Sequence, residues 1–220
     1  MKTRLITLLL IAFIAVGGIM TAQGKSKTKA PKARQTMLFN GKDLKNWIFH
    51  LKDPSVDPAG VFTVQNGVIH IKGDPFGYMR TKKAYSDYDL HVEWRYPSEL
   101  SNSGVFIHGQ EPDTIWLRTI ECQLMAGNAG DFVCMNGAEM NEQKDKKQRV
   151  IRKMAASNEK PLGEWNMMDI KCNGNTIEVK VNGLLQNKGT GLNLSEGSIC
   201  LQSEGKEIEF RNVYLTKLKK

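Results

Sequence analysis

Three polar residues that can take part in proton transfer fall in neighbouring strand-like segments: Glu93, His108 and Glu121. Around Glu93 and around Glu121, apolar and polar residues alternate as they do in a strand with one apolar and one polar face. If the three segments lie near each other in one sheet, their polar side chains line one surface. Two carboxylates on one surface are the usual acid and base, or acid and nucleophile, of glycoside cleavage. The sequence therefore predicts a catalytic cluster of Glu93, His108 and Glu121.

The same pattern also describes an ordinary solvated sheet face. Charged residues that alternate with apolar ones are the usual outer face of an antiparallel strand. On that interpretation Glu93 and Arg95 belong to a surface ion-pair network, and His108 is a hydrogen-bonded strand residue unless it lies in a cleft beside Glu121. Trp116 lies in a loop between polar residues, where it is a candidate for stacking on a sugar ring or, alternatively, a loop anchor on the sandwich edge.

Short alternating strands are the elements that must position these residues. The strongest local signal is the hairpin 62–72, which turns at Asn66-Gly67. A meander over 163–181 turns at Asn173-Gly174 and leads into a second turn at Asn182-Gly183. Roughly nine to eleven such strands, with no long helical pattern, predict an all-β fold, an antiparallel sandwich or jelly roll. A parallel sheet is excluded because nothing in the sequence supplies its crossover helices.

The N-terminal residues have the features of an export signal. Lys2 and Arg4 precede an apolar run over 5–20, and small residues follow at 22–24. The run is shorter than the ~20 apolar residues of a membrane span, and no cysteine near the cleavage point offers a lipid attachment. A periplasmic or secreted location is expected. The predicted divisions of the chain are a signal peptide at 1–24, a disordered leader at 25–36 and one domain at 37–220.

Charge and cysteine content narrow the possible partners. The chain has 31 Lys and Arg against 23 Asp and Glu, a formal net charge of +8. Residues 2–34 contain seven Lys or Arg and no acidic residue, so most of the net charge lies there. Because the excess is in the ends rather than among aromatics on a folded face, nucleic-acid binding is not expected. The cysteine spacing does not indicate a zinc site. The four cysteines, Cys122, Cys134, Cys172 and Cys200, can be buried free thiols or form disulfides, and the sequence favours neither state over the other.

Seven motifs follow one another in an order that is typical of one protein family. They are Leu38–Trp47, Asp89–Arg95, Asn102–Phe106, Ile120–Leu124, Lys160–Asn166, Leu201–Gly205 and Phe210–Asn212. Together they resemble the 3-keto-disaccharide hydrolase domain family over essentially all of 38–218. The resemblance implies a concanavalin A-like jelly roll, which agrees with the strand pattern. It also implies a hydrolase that acts on glycosides oxidised at C3, with a carbohydrate as its partner.

The chemistry implied by the resemblance starts from the ketone at C3, which acidifies the hydrogen at C2. A base removes that hydrogen, the aglycone at C1 leaves by elimination, and water adds back. Glu93 and Glu121 stand at the family's carboxylate positions, and Arg95 and Lys160 at its cationic positions, where they are expected to orient the sugar. Many members carry arginine where this chain has His108. His108 is therefore expected to act as acid or base, or as a metal ligand with Glu121.

Two other functions remain open at this point. One is a carbohydrate-binding module whose surface holds a glycan without cleaving it. The other is a two-carboxylate glycosidase that acts on unoxidised glycans. The need for a divalent metal is left open, and the sequence gives no indication of the oligomeric state.

Overall fold

The computed structural model describes residues 34–218. The predicted signal peptide, 1–24, and most of the predicted leader lie outside this range. Fifteen strands in two antiparallel sheets make up the described part of the chain, whose helical content is a single 3-10 turn at Pro58–Gly60. None of its helices is long and apolar enough to cross a membrane. The predicted all-β jelly roll is confirmed.

The two sheets are formed by strands that are distant in the sequence. Sheet A contains, in order across the sheet, β13 (Leu184–Gly189), β12 (Thr176–Val181), β11 (Asn166–Asn173), β6 (Tyr88–Arg95), β15 (Ile208–Lys217), β4 (Val68–Ile71) and β3 (Phe62–Gln65), with β1 (Gln35–Met37) also paired to β15. Sheet B contains β10 (Val150–Ile151), β9 (Phe132–Met135), β8 (Arg118–Gln123), β7 (Gly104–Gln110), β14 (Ser198–Ser203), β5 (Gly77–Thr81) and β2 (Trp47–Leu51).

Turn chemistry fixes the hairpins where the sequence predicts them. Asn66 and Gly67 connect β3 to β4 with φ angles of 51° and 76°, the left-handed pair that a tight two-residue hairpin requires. Asn182 and Gly183 connect β12 to β13 in the same way, with φ angles of 47° and 82°. The predicted hairpin and meander are both confirmed.

The main core lies between the two sheets. Alternate residues of β6, such as Val92 and Trp94, face alternate residues of β8, such as Ile120 and Cys122, and the burial of this apolar surface is the main stabilising contribution. A second apolar cluster covers the other face of sheet B; its members are Tyr78, Phe106, Leu117, Val133, Met135 and Cys200. Sheet B is therefore shielded on both faces. All four cysteines are buried and free.

The predicted leader differs from the sequence expectation, and the charged segment 141–160 has little regular structure. The predicted leader, 25–36, ends in a strand, because Gln35 and Thr36 belong to β1 and pair with Thr216 and Leu215 of β15. This pairing is made by the backbone, so the side-chain pattern gives no sign of it. The charged excursion over 141–160 contains turns and the two-residue strand β10, and no helix.

Candidate functional site

Glu93 and Arg95 lie on the outer face of sheet A, in a cross-strand ion-pair network. The Glu93 carboxylate accepts hydrogen bonds from Arg211 Nε and Asn212 Nδ2, both at 2.7 Å. Although burial raises the pKa of Glu93, these two donors outweigh it and the pKa is lowered. Arg95 Nε donates to Glu209 Oε2 at 2.5 Å. Glu93 and Arg95 thus belong to a different sheet from His108 and Glu121. The prediction that Glu93 shares a catalytic surface with His108 and Glu121, with Arg95 beside it to orient the sugar, is therefore wrong.

His108 points into the core between the sheets. A bulge in β7 shifts its register between Ile107 and Gln110, and His108 adopts a φ of 54°. Its ring packs edge-on against Tyr88 of sheet A, at 5.8 Å between centroids, and its Nδ1 lies 3.2 Å from the carbonyl oxygen of Leu194. Burial lowers the pKa of His108 to about 4, so the ring is neutral at pH 7.

The inward orientation of His108 separates it from Glu121. Glu121 alternates with Ile120 and Cys122, which belong to the main core, so its side chain lies on the outer face of sheet B. The two residues are therefore on opposite faces of the same sheet. The prediction that they form one catalytic cluster, or one metal site, is wrong, because the bulge reverses the alternation on which it was based.

Glu121 is buried on the outer face of sheet B, with 4% of its surface exposed. Its carboxyl group lies over Gly104 of β7, where a Cβ would stand 2.3 Å from Oε1. Any larger residue would meet this carboxyl group. Gly104 is thus the position that makes room for Glu121.

Three acceptor oxygens near this position are buried and have no hydrogen-bond partner among residues 34–218: Glu121 Oε1, Gln202 Oε1 and Asn102 Oδ1. They belong to one patch. Leu201 of β14 pairs with Val105 of β7, which places Gln202 beside Gly104, and Asn102 precedes Gly104 by two residues on the same face. Buried polar atoms are normally paired in proteins. Three unpaired acceptors in one patch are suited to a ligand that brings hydrogen-bond donors.

Glu204 adds a second carboxyl group to the patch. Burial, together with the charge of Glu204, raises the pKa of Glu121 to about 8, and the charge of Arg149 opposes this rise. Burial also raises the pKa of Glu204, against hydrogen bonds from Asn102 and Gln202. Glu121 consequently holds its proton at pH 7. Two neighbouring carboxyl groups that influence each other's pKa in this way are able to divide the roles of acid and base.

Trp116 flanks the patch on the β5 side. Ser203 of β14 pairs with Gly77 of β5, and continuing this register brings Phe76 opposite Glu204. The rings of Phe76 and Trp116 are 5.1 Å apart, and Trp116 is 53% exposed. Trp116 therefore presents an accessible aromatic surface on the face that carries Glu121.

Lys160 lines a hollow of about 480 Å³ together with Leu100, Ala126 and Leu162. Its backbone N–H donates to Asn166 Oδ1 at 2.8 Å. Of the six residues predicted from the sequence, the structure thus brings two to one face: Glu121 and Trp116. Lys160 lies beside the start of β11 in sheet A, and the other three, Glu93, Arg95 and His108, also lie elsewhere.

The sequence interpretation missed Asn102, Gln202, Glu204 and Arg149. The first three lie inside motifs that carry the family resemblance, so their positions were available. Their role was not, because Asn102 and Gln202 are amides without acid or base character, and the environment that raises the pKa of Glu204 is created by the fold. Arg149 comes from the charged excursion, in which it has no distinguishing pattern.

One group of described residues has the composition and spacing of a metal site: His70, Glu207 and Glu209. It lies on the outer face of sheet A, and Glu209 already has Arg95 as its cationic partner. This group is in the sheet that does not carry Glu121, so it has no part in the patch.

Comparisons with known proteins agree with this architecture. A family model described as a 3-keto-alpha-glucoside-1,2-lyase-like domain matches residues 34–216. The crystal structure of a proposed glycosyl hydrolase from Parabacteroides distasonis is 21% identical, with a TM-score of 0.64 over 84% of this chain and 94% of that one. No match was found among curated proteins.

More distant structures share the fold. The carbohydrate-binding module CBM66 from Bacillus subtilis is 8% identical, with a TM-score of 0.58 over 78% of this chain and 96% of that one. A β-glucanase from Bacillus licheniformis is 11% identical, with a TM-score of 0.54 over 87% of this chain and 100% of that one. The fold is thus one that sugar-cleaving and sugar-binding domains have in common.

Proposed function

We propose, since the chain belongs to the 3-keto-alpha-glucoside-1,2-lyase-like family, that it cleaves glycosides whose sugar is oxidised at C3, in the periplasm or outside the cell. The observation that carries the proposal is the state of Glu121, a buried carboxyl group with an unpaired oxygen and a pKa raised to about 8 by burial and by the charge of Glu204. Such a group can donate a proton at neutral pH. The neighbouring carboxyl group of Glu204 is the base that takes a proton from the substrate.

The proposed reaction starts with Glu204 as its ionised carboxylate and Glu121 protonated. Glu204 removes the proton from C2, which the C3 ketone has made acidic, and the C1–O bond breaks as a C1–C2 double bond forms. The electron pair of the broken bond goes to the leaving oxygen, which takes the proton of Glu121. Glu121 is then the carboxylate that deprotonates a water attacking C1, while Glu204 returns its proton to C2. The net result is hydrolysis, with both carboxyl groups restored.

Neighbouring residues supply sugar binding in this proposal. The unpaired oxygens of Asn102 and Gln202 accept hydrogen bonds from sugar hydroxyl groups, which are donors of the kind these oxygens lack. Trp116 offers an exposed ring for stacking. Arg149, the cation whose charge reaches Glu121, stabilises the negative charge that develops on the enolate in this proposal.

The test uses matched phenyl glucosides with and without the 3-keto group, and three proteins: wild type, Glu121→Gln and Glu93→Gln. We expect wild type to consume the 3-keto substrate alone, Glu121→Gln to lose at least ~100-fold in turnover, and Glu93→Gln to remain active because Glu93 lies in the other sheet. Full activity of Glu121→Gln with an intact fold would overturn the proposal. Consumption of the unoxidised glucoside would instead indicate an ordinary two-carboxylate glycosidase.

A carbohydrate-binding module is the second candidate, and the exposed ring of Trp116 favours it, because stacking and unpaired acceptors serve binding as well as cleavage. Calorimetry distinguishes the two. Sugar binding that survives Glu121→Gln, without any product in chromatography of the wild-type reaction, would favour the binding module. Product formation that requires Glu121 would exclude it.

A further inference from the structure

We infer that the buried ion pair between Arg80 and Asp113 positions Trp116, and that it holds this ring as a sugar-stacking wall of the patch that contains Glu121. The inference rests on the proposed function, because it assigns positioning residues to the same site. It is carried by the contacts of the loop that contains Trp116, by the burial of Arg80 and by the exposure of the ring.

The loop 111–117, which connects β7 to β8, is tied to β5 through two side chains. Tyr78 and Arg80 alternate along β5, so both lie on the outer face of sheet B. The Arg80 guanidinium donates to both carboxylate oxygens of Asp113, from Nε at 2.7 Å and from Nη2 at 2.8 Å. The Tyr78 hydroxyl group lies 3.1 Å from both Asp113 Oδ1 and Thr114 O, either of which accepts its hydrogen bond. The first half of the loop is thus fixed to the sheet.

Trp116 is exposed between two fixed points of the loop. On one side, Thr114 Oγ1 donates to Trp116 O at 2.9 Å; on the other, Leu117 is buried in the apolar cluster on the outer face of sheet B. The ring of Trp116 lies against Phe76, which stands opposite Glu204 in the continued register of β5 with β14, so it borders the patch. A ring that is held in place in the solvent loses little conformational freedom when a sugar stacks on it.

Arg80 contributes more to the geometry of the loop than to stability. It is 6% exposed, and both of its carboxylate partners among residues 34–218 belong to the loop: Asp113, and Glu111, whose Oε1 lies 2.7 Å from Nη2. Removing two charges from water costs about as much free energy as a buried ion pair gains, so the pair adds little net stability. The two parallel hydrogen bonds to Asp113 nevertheless restrict the loop to one geometry.

The carboxyl group of Asp113 is ionised in this pair. Although burial raises the pKa of Asp113, hydrogen bonds from Arg80 and Tyr78 outweigh it, and the pKa is lowered. Charge-assisted hydrogen bonds of this kind are about twice as strong as neutral ones. The loop is therefore held most firmly at the residue three positions before Trp116.

The first experiment measures the position of the ring without any ligand. The chain has four tryptophans, so protein labelled with 5-fluorotryptophan gives four fluorine NMR lines, and Trp116→Phe identifies the line of Trp116. We expect Asp113→Ala and Arg80→Met each to shift or broaden this line. The lines of Trp47 and Trp94, both buried in the core, should stay in place and show that the fold is intact. An unchanged Trp116 line in both variants would overturn the inference.

The control is an arginine of the other sheet with a matching ion pair. Arg211 Nε donates to Glu93 Oε2 at 2.7 Å, and its guanidinium lies 4.0 Å from the ring of Trp165. Arg211→Met should therefore move the Trp165 line and leave the Trp116 line unchanged. A Trp116 line that moves equally in this control would show that the ring responds to any lost ion pair, against the specific role of Arg80.

The second experiment asks whether the positioned ring serves sugar binding. With methyl 3-keto-glucoside as substrate, Trp116→Ala and Asp113→Ala are each expected to raise KM about 10-fold and to keep kcat within about twofold, because stacking binds the sugar equally in the ground state and the transition state. The double variant should raise KM no further than Trp116→Ala alone, since Asp113 acts through the ring. Effects that multiply in the double variant would contradict the inference.

The two experiments separate this inference from the proposed function. If the 3-keto substrate is not cleaved, the proposed function fails, and calorimetry with methyl glucoside gives a Kd for the same set of variants. Binding that weakens in the same non-additive way would then support the positioned ring, and the absence of any binding would refute its role in stacking. Turnover with multiplying effects would refute the inference and leave the proposed function standing.

Discussion

The carboxyl group of Glu121 rests on Gly104, so closely that a Cβ at position 104 would lie 2.3 Å from Oε1. The three atoms that this Cβ would displace, Oε1, Cδ and Cγ, all belong to the Glu121 side chain and none to the backbone. The backbone of Gly104 does not need the left-handed conformation, as its φ is outside that region. Glycine is needed at position 104 because the carboxyl group of Glu121 occupies the space of a Cβ. The effect of a larger residue on turnover can be measured separately from its effect on stability.

Gly104→Ala is expected to reduce turnover about 100-fold, because a misplacement of about 1 Å is enough to lose that factor in a positioned catalytic group. The melting temperature should change little. Gly60→Ala is the matched control, since Gly60 has open space around its Cβ position, and it should keep full turnover. Activity of Gly104→Ala equal to that of the control would show that the location of the Glu121 carboxyl group is unimportant. Turnover of a 3-keto glucoside and a thermal melt provide the two readouts.

The raised pKa of Glu121 makes a prediction about stability and pH. Burial holds the pKa at about 8 in the folded chain, against 4.5 as the ordinary value, so between these values the folded state binds more protons than the unfolded state. Stability should therefore fall as pH rises from 4.5 towards 8, by on the order of a few kcal/mol. Glu121→Gln removes the titrating group, and its stability should lack this part of the fall. Urea denaturation of both proteins at several pH values measures the difference, and parallel curves would contradict the assigned pKa.

Glu121 also predicts the pH dependence of the rate. An acid must be protonated to donate, so turnover should decline as pH rises through about 8, the pKa of Glu121. The rate profile of the wild type with the 3-keto substrate checks this. A rate that still rises above that pH would mean that another group provides the leaving-group proton.

The sequence was sufficient to predict the fold because its strongest signals are local. The turn at Asn66-Gly67 and the alternation in β6 and β8 each depend on residues that are neighbours in the chain. Strand β1 was missed because its pairing with β15 depends on the backbone alone. The contacts of the Trp165 ring with the guanidinium groups of Arg95 and Arg211, at 4.7 and 4.0 Å, likewise join residues that are distant in the sequence.

The site was predicted less well because it depends on which face of which sheet each strand presents. Alternation correctly places Glu93 and Glu121 opposite the apolar residues of their strands, but it does not show that β6 and β8 belong to different sheets. For His108 a single bulge reverses the face, and β-bulges have no signature in this stretch of sequence. The unpaired oxygens of Asn102 and Gln202 become visible only when their surroundings are known.

Gln202 is expected to contribute to sugar binding and little to the stability of the fold. Its Oε1 is buried and unpaired, and such an atom costs about 1–3 kcal/mol. This cost offsets the loss of the hydrogen bond from Gln202 to Glu204, so Gln202→Met should leave the melting temperature nearly unchanged. Sugar affinity should fall about 10-fold, the effect of losing one useful hydrogen bond to the ligand. Gln110→Met is the comparison, because Gln110 Nε2 donates to His108 O and Glu196 O and its Oε1 is not one of the buried unpaired atoms. That variant should lose stability and keep its affinity; the reverse pattern in calorimetry and thermal melts would be evidence against the sugar-binding role of Gln202.

His108→Asn tests whether the histidine is structural. Asparagine tolerates the φ of 54° found at position 108, but it loses the contact with Tyr88, so we expect a loss of about 1–3 kcal/mol of stability at pH 7 and turnover within about threefold of wild type for a residue outside the site. The wild type should also lose stability as pH falls from 6.5 to about 4, because burial lowers the pKa of His108 to about 4 and the unfolded chain takes up the proton first. The variant should lack this acid-dependent loss. Urea denaturation at pH 7 and at lower pH, with turnover measured alongside, checks both expectations, and a folded His108→Asn that has lost its turnover would return this residue to the mechanism.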